Sequence, residues 1–588
     1  MDKKLMLGNE AVARGAYEAG VTVASAYPGT PSTEITENIA KYEEIYSEWA
    51  PNEKVSLETA LGAAIAGARS LCAMKHVGLN VAADPLFTSS YTGINGGLVI
   101  VVADDPGMHS SQNEQDTRHY ARAAKLPLLA PADSQESKEF VKKAFEISEE
   151  FDTPVIVRLS TRISHSKSIV KLEEREAYEL KDYEKDFQKY VMMPAMGRKR
   201  HVIVEERMNN LQEYAEDFIY NKMEEGSPKM GVITSGIASQ YAREAFGEVS
   251  FLKLGLEYPY PDNLLKEFSQ KVDKVYVVEE LDPFFENHLH SLGIEVIGKD
   301  RLPLTGELSK QIIVENMLHP EAENSTGEEE NNTIAKETPV RPPVMCPGCP
   351  HRGAFYIMNK LDLTVTGDIG CYTLGALPPA EAMDTCICMG ASVSAAHGME
   401  KARGQEFGKN TVAVIGDSTF MHSGITGLID IVYNKGCSTI IILDNSITGM
   451  TGHQENPTTG YTIKGEPTAE VDLVKLSKAL GIDRVEVTDP FDLDEFEKVV
   501  KREVKADSPS VIISQRPCAL LETADYSGYL EVNQDKCTYC KQCLEIGCPA
   551  IVDEGDHVSI NEALCNACGL CTEVCQFGAL EKVGDNNE

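Results

Sequence analysis

Eight of the sixteen cysteines in this 588-residue chain fall between residues 537 and 575, and their spacing leaves few folds open. Cys537-x2-Cys540-x2-Cys543 is followed by Cys548-Pro549, and Cys565-x2-Cys568-x2-Cys571 by Cys575. Thiolates this dense select iron–sulfur clusters or zinc, and a repeated triplet with a remote fourth cysteine is the pattern of crossed cluster ligation. The pattern predicts one [4Fe–4S] cluster on Cys537, Cys540, Cys543 and Cys575 and a second on Cys548, Cys565, Cys568 and Cys571. Two structural zinc sites are the alternative, but zinc knuckles rarely combine this spacing with apolar filling such as Ile546, Ile551 and Phe577.

Residues 527–588 therefore read as an α+β, two-cluster ferredoxin-like domain, with two irregularities. The gap before Cys548 holds four residues, Leu544-Glu545-Ile546-Gly547, not the usual three, and Gln576 stands where a proline usually follows the last cysteine. Neighbouring clusters form an electron path. They also require reduced thiols, so a cytoplasmic compartment is expected. No segment reaches the roughly 20 uninterrupted apolar residues of a membrane helix. A formal net charge of -36 argues against sequence-independent binding to nucleic acid or to an anionic membrane surface.

The remainder of the chain alternates apolar runs with helical patterns, which is α/β material. Leu98-Val99-Ile100-Val101-Val102-Ala103 and Pro154-Val155-Ile156-Val157-Arg158-Leu159 predict buried parallel strands in a first domain, 1–170. A charged stretch from Ser166 to Lys189 breaks the pattern. A second, smaller α/β domain is expected over 195–315, with strands near Met230–Gly236 and Lys274–Glu280. An acidic, Pro- and Asn-bearing linker follows at 316–343. A third α/β domain occupies 344–522, with strands at Thr411–Ile415 and Ser438–Leu443 running into polar turns. Ligands of open parallel sheets bind beyond the carboxyl ends of such strands.

Those two turns carry Gly416-Asp417-Ser418 and Asp444-Asn445, with Asn445 28 positions after Asp417. The pair is similar to the thiamine diphosphate signature, GDG then NN, in which an Asp and an Asn hold a magnesium ion on the diphosphate. Oxygen-rich ligation suits that cation. Ser418 and Asp444 depart from the usual residues. Gly416 is expected to let the backbone approach the phosphate, with helix N–H groups near Met421–Ser423 directed at it. The loop Ile447–Pro457 is expected to add the Ile447 carbonyl to the metal shell and to turn His453 towards the reacting carbon.

Taken together, the chain resembles the alpha subunits of 2-oxoacid:ferredoxin oxidoreductases, in the branch that acts on arylpyruvates such as indolepyruvate. The resemblance rests on Ala26-Tyr27-Pro28-Gly29-Thr30-Pro31, Cys346-Pro347-Gly348-Cys349-Pro350-His351-Arg352, Gly367-Asp368-Ile369-Gly370-Cys371, the diphosphate motif and the cysteine-rich tail. It implies transketolase-like parallel-sheet domains, the first binding the thiamine pyrimidine, the second like a transketolase C-terminal domain and the third binding diphosphate and magnesium. Glu58 matches the glutamate at pyrimidine N1′ and is expected to be buried on the apolar face of an Ala-rich helix. Thr30 matches the threonine that touches the substrate carboxylate. Cys346, Cys349, Cys371 and Cys518 match the order of a third cluster next to thiamine, with Gly370 in its loop. Cys386, Cys388 and Cys437 read as buried filler. His109, Gln112, Arg118 and His119 are cleft candidates.

The implied reaction converts an arylpyruvate and coenzyme A to an aryl-acetyl-CoA, carbon dioxide and reduced ferredoxin. The implied partners are a smaller beta subunit, in an α2β2 assembly, and an external ferredoxin. Two rivals differ in class: a non-oxidative decarboxylase, against which the cluster domain speaks, and a non-catalytic electron-transfer scaffold.

Overall fold

A computed structural model describes residues 2–319, 343–521 and 526–583. The chain divides into two compact units, Met1–Glu337 and Thr338–Glu588. Most of the expected linker, residues 320–342, lies outside the described residues, whereas Val314–Leu318 completes a helical turn.

In the first unit a seven-stranded sheet runs, edge to edge, through Leu256–Tyr258, Leu128–Leu129, Val155–Ser160, Leu98–Asp104, Ser70–Lys75, Val23–Ala26 and Tyr46–Trp49. All neighbours are parallel except the first pair. Leu98–Asp104 and Val155–Ser160 are wholly buried. Such continuous apolar runs are what helices on both faces of a parallel sheet demand. One face packs Phe140, Val141 and Phe145, the other Leu57, Leu79 and Leu86. A five-stranded sheet follows, centred on Ser227–Ser235 between Val249–Leu254 and Val275–Val278.

The chain interleaves these two sheets more closely than its composition suggests. The helix Pro194–Glu216 buries Met208 and Leu211 in the first core, and Leu256–Tyr258, which follows a strand of the second sheet, pairs with Leu128–Leu129 of the first. The charged stretch after Ser166 also has a defined place. Lys167–Lys171 pairs antiparallel with Lys3–Leu7, and Arg175 then donates to the carbonyls of Tyr17 at 2.7 Å and Val21 at 2.9 Å.

In the second unit a six-stranded parallel sheet runs Thr385–Cys386, Thr364–Gly367, Thr411–Gly416, Thr439–Asp444, Ser510–Gln515, Arg484–Thr488. The cysteine-rich region adds two antiparallel ribbons, Tyr529–Val532 with Leu580–Val583 and Ile551–Asp553 with Val558–Ile560. It is not a detached bead. Leu530, Ile546, Leu570 and Val574 share one apolar core with Phe355, Val365 and Phe496 of the sheet domain.

Candidate functional site: an oxygen nest beside three sets of thiols

Asp417 begins a helical segment at the carboxyl end of Thr411–Gly416, and Asn445 directly follows Thr439–Asp444, so adjacent parallel strands deliver both to one place. Both are buried. The side-chain oxygen of Asn445 faces only acceptors, Asp417 Oδ1 at 3.2 Å and the Ile447 carbonyl at 2.9 Å. Turned over, the amide would instead donate to both acceptors; in the orientation found, three oxygens converge on one point. In an octahedron with metal–oxygen distances of about 2.1 Å, adjacent oxygens lie about 3.0 Å apart. The three oxygens fit a magnesium ion.

The other oxygen of Asp417 accepts from Asn456 Nδ2 at 3.2 Å and Thr458 Oγ1 at 3.1 Å, and Thr448 donates to Ser418 at 3.0 Å. Sequence reasoning passed over Asn456 and Thr458, whose signal was the polar run after Gln454. Burial and the neighbouring Asp444 push the Asp417 carboxyl up to about 7. Because the folded value is raised, proton and cation compete below it. Magnesium affinity of the cation-free protein is expected to climb from about pH 5.5 to about pH 7 and then level off. Calorimetric titration across that range checks this, and a flat affinity would contradict it.

A Cβ on Gly416 would lie 2.7 Å from Tyr372 Cε1, and a Cβ on Gly370 would overlap the same ring, so this side chain also asks for glycine at both. One expectation about this motif needs correction. The helix starts at Asp417, not near Met421–Ser423, so the N–H groups of those three residues lie inside the helical segment.

The cysteines assemble as three sets. Burial raises Cys371 to about 11, with Cys518 and Cys346 adding to the effect. It raises Cys349 to about 12, with Cys371 and Cys346 among the neighbours. These four thiols are therefore neighbours although 172 residues separate the first from the last. They also adjoin the oxygen nest. Cys518 N donates to the Asn445 carbonyl at 3.0 Å, and a Cβ on Gly449 would lie 3.5 Å from Cys371 Sγ and 3.6 Å from Asn445 Nδ2. His453 stands exposed with Nε2 4.0 Å from Cys518 Sγ.

In the tail, Cys543 feels Cys540, Cys575 and Cys537, and all four line one cavity with Phe577 and Leu580. Cys571 feels Cys568, Cys548 and Cys565, and then Cys543 of the other set. Cys543 and Cys571 thus each have as first thiol neighbours the other members of their own expected set.

Other candidates fall differently. Cys437 is buried as expected, whereas Cys386 and Cys388 are exposed and are not filler. Glu58 lies on the helix Glu53–Ile65 but is exposed, paired with Lys54 one turn earlier. Its expected burial is thus overturned within this chain. Thr30 is partly buried, and its carbonyl accepts from Ser110 Oγ at 3.0 Å. Close by, Lys75 packs its stem on Gly29, donates to the Ser110 carbonyl at 2.8 Å and is lowered to about 8 by burial. Arg118 is buried between Asp116 and Glu279 at 2.5 and 2.6 Å and lines a small cavity with Arg158, Ser160, Ser235 and Glu280. His109 pairs with Glu307 at 3.1 Å and His119 with Asp282 at 2.8 Å, while Gln112 is exposed.

Comparison with known proteins agrees with this layout. Residues 14–227 match the family model for pyruvate flavodoxin/ferredoxin oxidoreductase, thiamine diP-bdg. Residues 368–514 match thiamine pyrophosphate enzyme, C-terminal TPP binding domain, and 558–581 match 4Fe-4S binding domain. The chain is 39% identical to indolepyruvate oxidoreductase subunit IorA of Archaeoglobus fulgidus, over 100% of this chain and 98% of that one. This chain belongs to the IorA family. The IorA of Pyrococcus horikoshii is 41% identical over 99% of this chain and 97% of its own. Among solved structures, a 2-oxoglutarate:ferredoxin oxidoreductase from Magnetococcus marinus aligns with a TM-score of 0.44 and 20% identity, covering 53% of this chain and 64% of that one. The chain carries thiamine diphosphate-binding domains and a 4Fe–4S domain. No described helix is long and apolar enough to cross a membrane.

Proposed function

We propose that this chain is the catalytic subunit of an arylpyruvate:ferredoxin oxidoreductase, which converts an arylpyruvate such as indolepyruvate and coenzyme A to an aryl-acetyl-CoA, carbon dioxide and reduced ferredoxin. The observation that carries the reading is the contact of the oxygen nest with the Cys346–Cys349–Cys371–Cys518 set through Gly449 and Cys518 N. A redox group held there lies beside the place where a diphosphate cofactor is anchored. A non-oxidative decarboxylase would have no use for that adjacency, and a scaffold would have no use for the nest.

In this reading Asp417, Asn445 and the Ile447 carbonyl hold magnesium on the diphosphate. Thiamine diphosphate, when bound, supplies the electron sink that lets a 2-oxoacid lose carbon dioxide. Glu58 would hold a proton at pyrimidine N1′. Thr30 donates its hydroxyl to the substrate carboxylate, and Lys75 adds positive charge from beneath the same turn. His453, with Nε2 4.0 Å from Cys518 Sγ, would move a proton at the substrate oxygen. The three thiol sets hold three [4Fe–4S] clusters, about twelve irons per chain. A smaller subunit, in an α2β2 assembly, and an external ferredoxin complete the system.

Glu58→Gln is expected to lower turnover by about 10²–10⁴-fold, the range for removing a positioned acid–base group. Its melting temperature should stay close to wild type, since an exposed ion pair is worth about 0–1 kcal/mol. Viologen reduction and differential scanning fluorimetry on one preparation check both. A full-rate E58Q would remove Glu58 from the chemistry. The reading as a whole is tested by thiamine diphosphate content after anaerobic purification, together with viologen reduction dependent on indolepyruvate and coenzyme A. Protein that binds no thiamine after reconstitution would leave only the scaffold.

A further inference from the structure

Arg352 is buried, with 3% of its surface exposed, and among the described residues no carboxylate forms an ion pair with it. Its donors go to main-chain carbonyls alone. Nε donates to Cys346 at 3.1 Å, one terminal nitrogen to Ile546 at 3.1 Å and Gly547 at 2.5 Å, and the other to Met345. These acceptors sit on two ligand loops almost 200 residues apart in sequence: the start of Cys346-x2-Cys349, and the four-residue gap before Cys548. The gap that departs from ordinary ferredoxin spacing thus supplies two of the carbonyls. The charges Arg352 senses are the thiols Cys548, Cys349, Cys346 and Cys568, two from each set. A second tie crosses the same boundary, Asn566 Nδ2 donating to the Pro347 carbonyl at 3.3 Å.

Burying a guanidinium without an anion is strongly unfavourable, and four carbonyl acceptors satisfy its hydrogens without neutralising its charge. A buried permanent cation implies an anion that arrives with the assembled protein. Resting on the reading that both thiol sets carry clusters, we infer that Arg352 is the shared counter-charge of the Cys346 and Cys548 sets, a positioning residue that raises the reduction potential of both. Each thiolate-ligated cluster is a net anion whose charge becomes one unit more negative when it takes an electron. The cation therefore stabilises the reduced form more than the oxidised form. No bond forms or breaks at Arg352. The electron comes from oxidation of the 2-oxoacid and leaves to ferredoxin. The Cys537 set, to which Arg352 makes no hydrogen bond, should respond little.

The test compares wild type, Arg352→Gln, Arg352→Met and Arg352→Lys, each purified anaerobically with the small subunit. Iron content is measured first, then EPR-monitored redox titration without substrate. In R352Q and R352M two of the three signals should shift downward by at least tenfold in the one-electron equilibrium constant, about 59 mV. The third should stay, and R352K should lie near wild type. If the neutral variants fail to retain iron while R352K retains it, the charge requirement is likewise supported. Unchanged potentials at full iron content, an equal shift of all three signals, or iron loss in all three variants would overturn the inference, the last by assigning Arg352 to loop geometry alone. Wild-type iron near eight atoms per chain would instead remove the third cluster from the proposed function and take this inference with it.

Discussion

Replacing Asp417 by alanine is expected to abolish turnover while leaving the iron in place. The substitution removes one of three convergent oxygens and the buried negative charge opposite the cation. Metal ions at reacting centres contribute several kcal/mol, and about 4 kcal/mol corresponds to about 10³-fold in rate. Thiamine diphosphate should then fail to co-purify. Asn456 and Thr458 lose an acceptor, a cost of about 1–3 kcal/mol set partly against relief of a carboxyl already held near neutrality. Iron content equal to wild type, with thiamine content near zero, is the predicted pair of results. Thiamine retained at full stoichiometry in D417A would place the diphosphate elsewhere.

Cys571→Ser should also have a large effect, on a different step. Cys571 is the most deeply buried thiol of its set, and burial keeps it protonated unless a metal takes the proton's place. A serine there is a poor ligand for iron, so the cluster on Cys548, Cys565 and Cys568 should be lost or badly damaged. Iron should fall by about one third, and ferredoxin reduction by about 10² or more, because the remaining sets no longer adjoin in series. Thiamine binding should be unaffected. The two variants thus separate cofactor loss from path loss. Ferredoxin reduction at wild-type rate in C571S would mean that electrons bypass the tail.

The grouping of ligands was legible in the sequence because thiolate spacing is itself a geometric statement. A triplet at intervals of three with a distant fourth member admits few closures. Asp417 and Asn445 were legible for a related reason, since strand ends in a parallel sheet place their following turns side by side. What could not be read was surroundings. The helix carrying Glu58 has Lys54, Glu58 and Gly62 in one row, and the small residues around them bury as readily as they expose. Only the packed fold shows that Glu58 and Gly62 are open. Nor does the motif around Gly416 tell that the same glycine also makes room for Tyr372, an aromatic ring 44 residues earlier. Arg118 and Arg352 each stand in polar sequence typical of a surface, yet both are interior, because besides near neighbours each takes partners from a segment more than 150 residues away.

The most direct test of the account mixes anaerobic, oxidised enzyme complex with indolepyruvate and coenzyme A in the absence of any external acceptor, and follows the clusters by EPR. The account predicts one-electron signals from this chain's own clusters, appearing only when thiamine diphosphate and magnesium are bound and absent in D417A. Carbon dioxide and aldehyde released with the clusters still oxidised would contradict it.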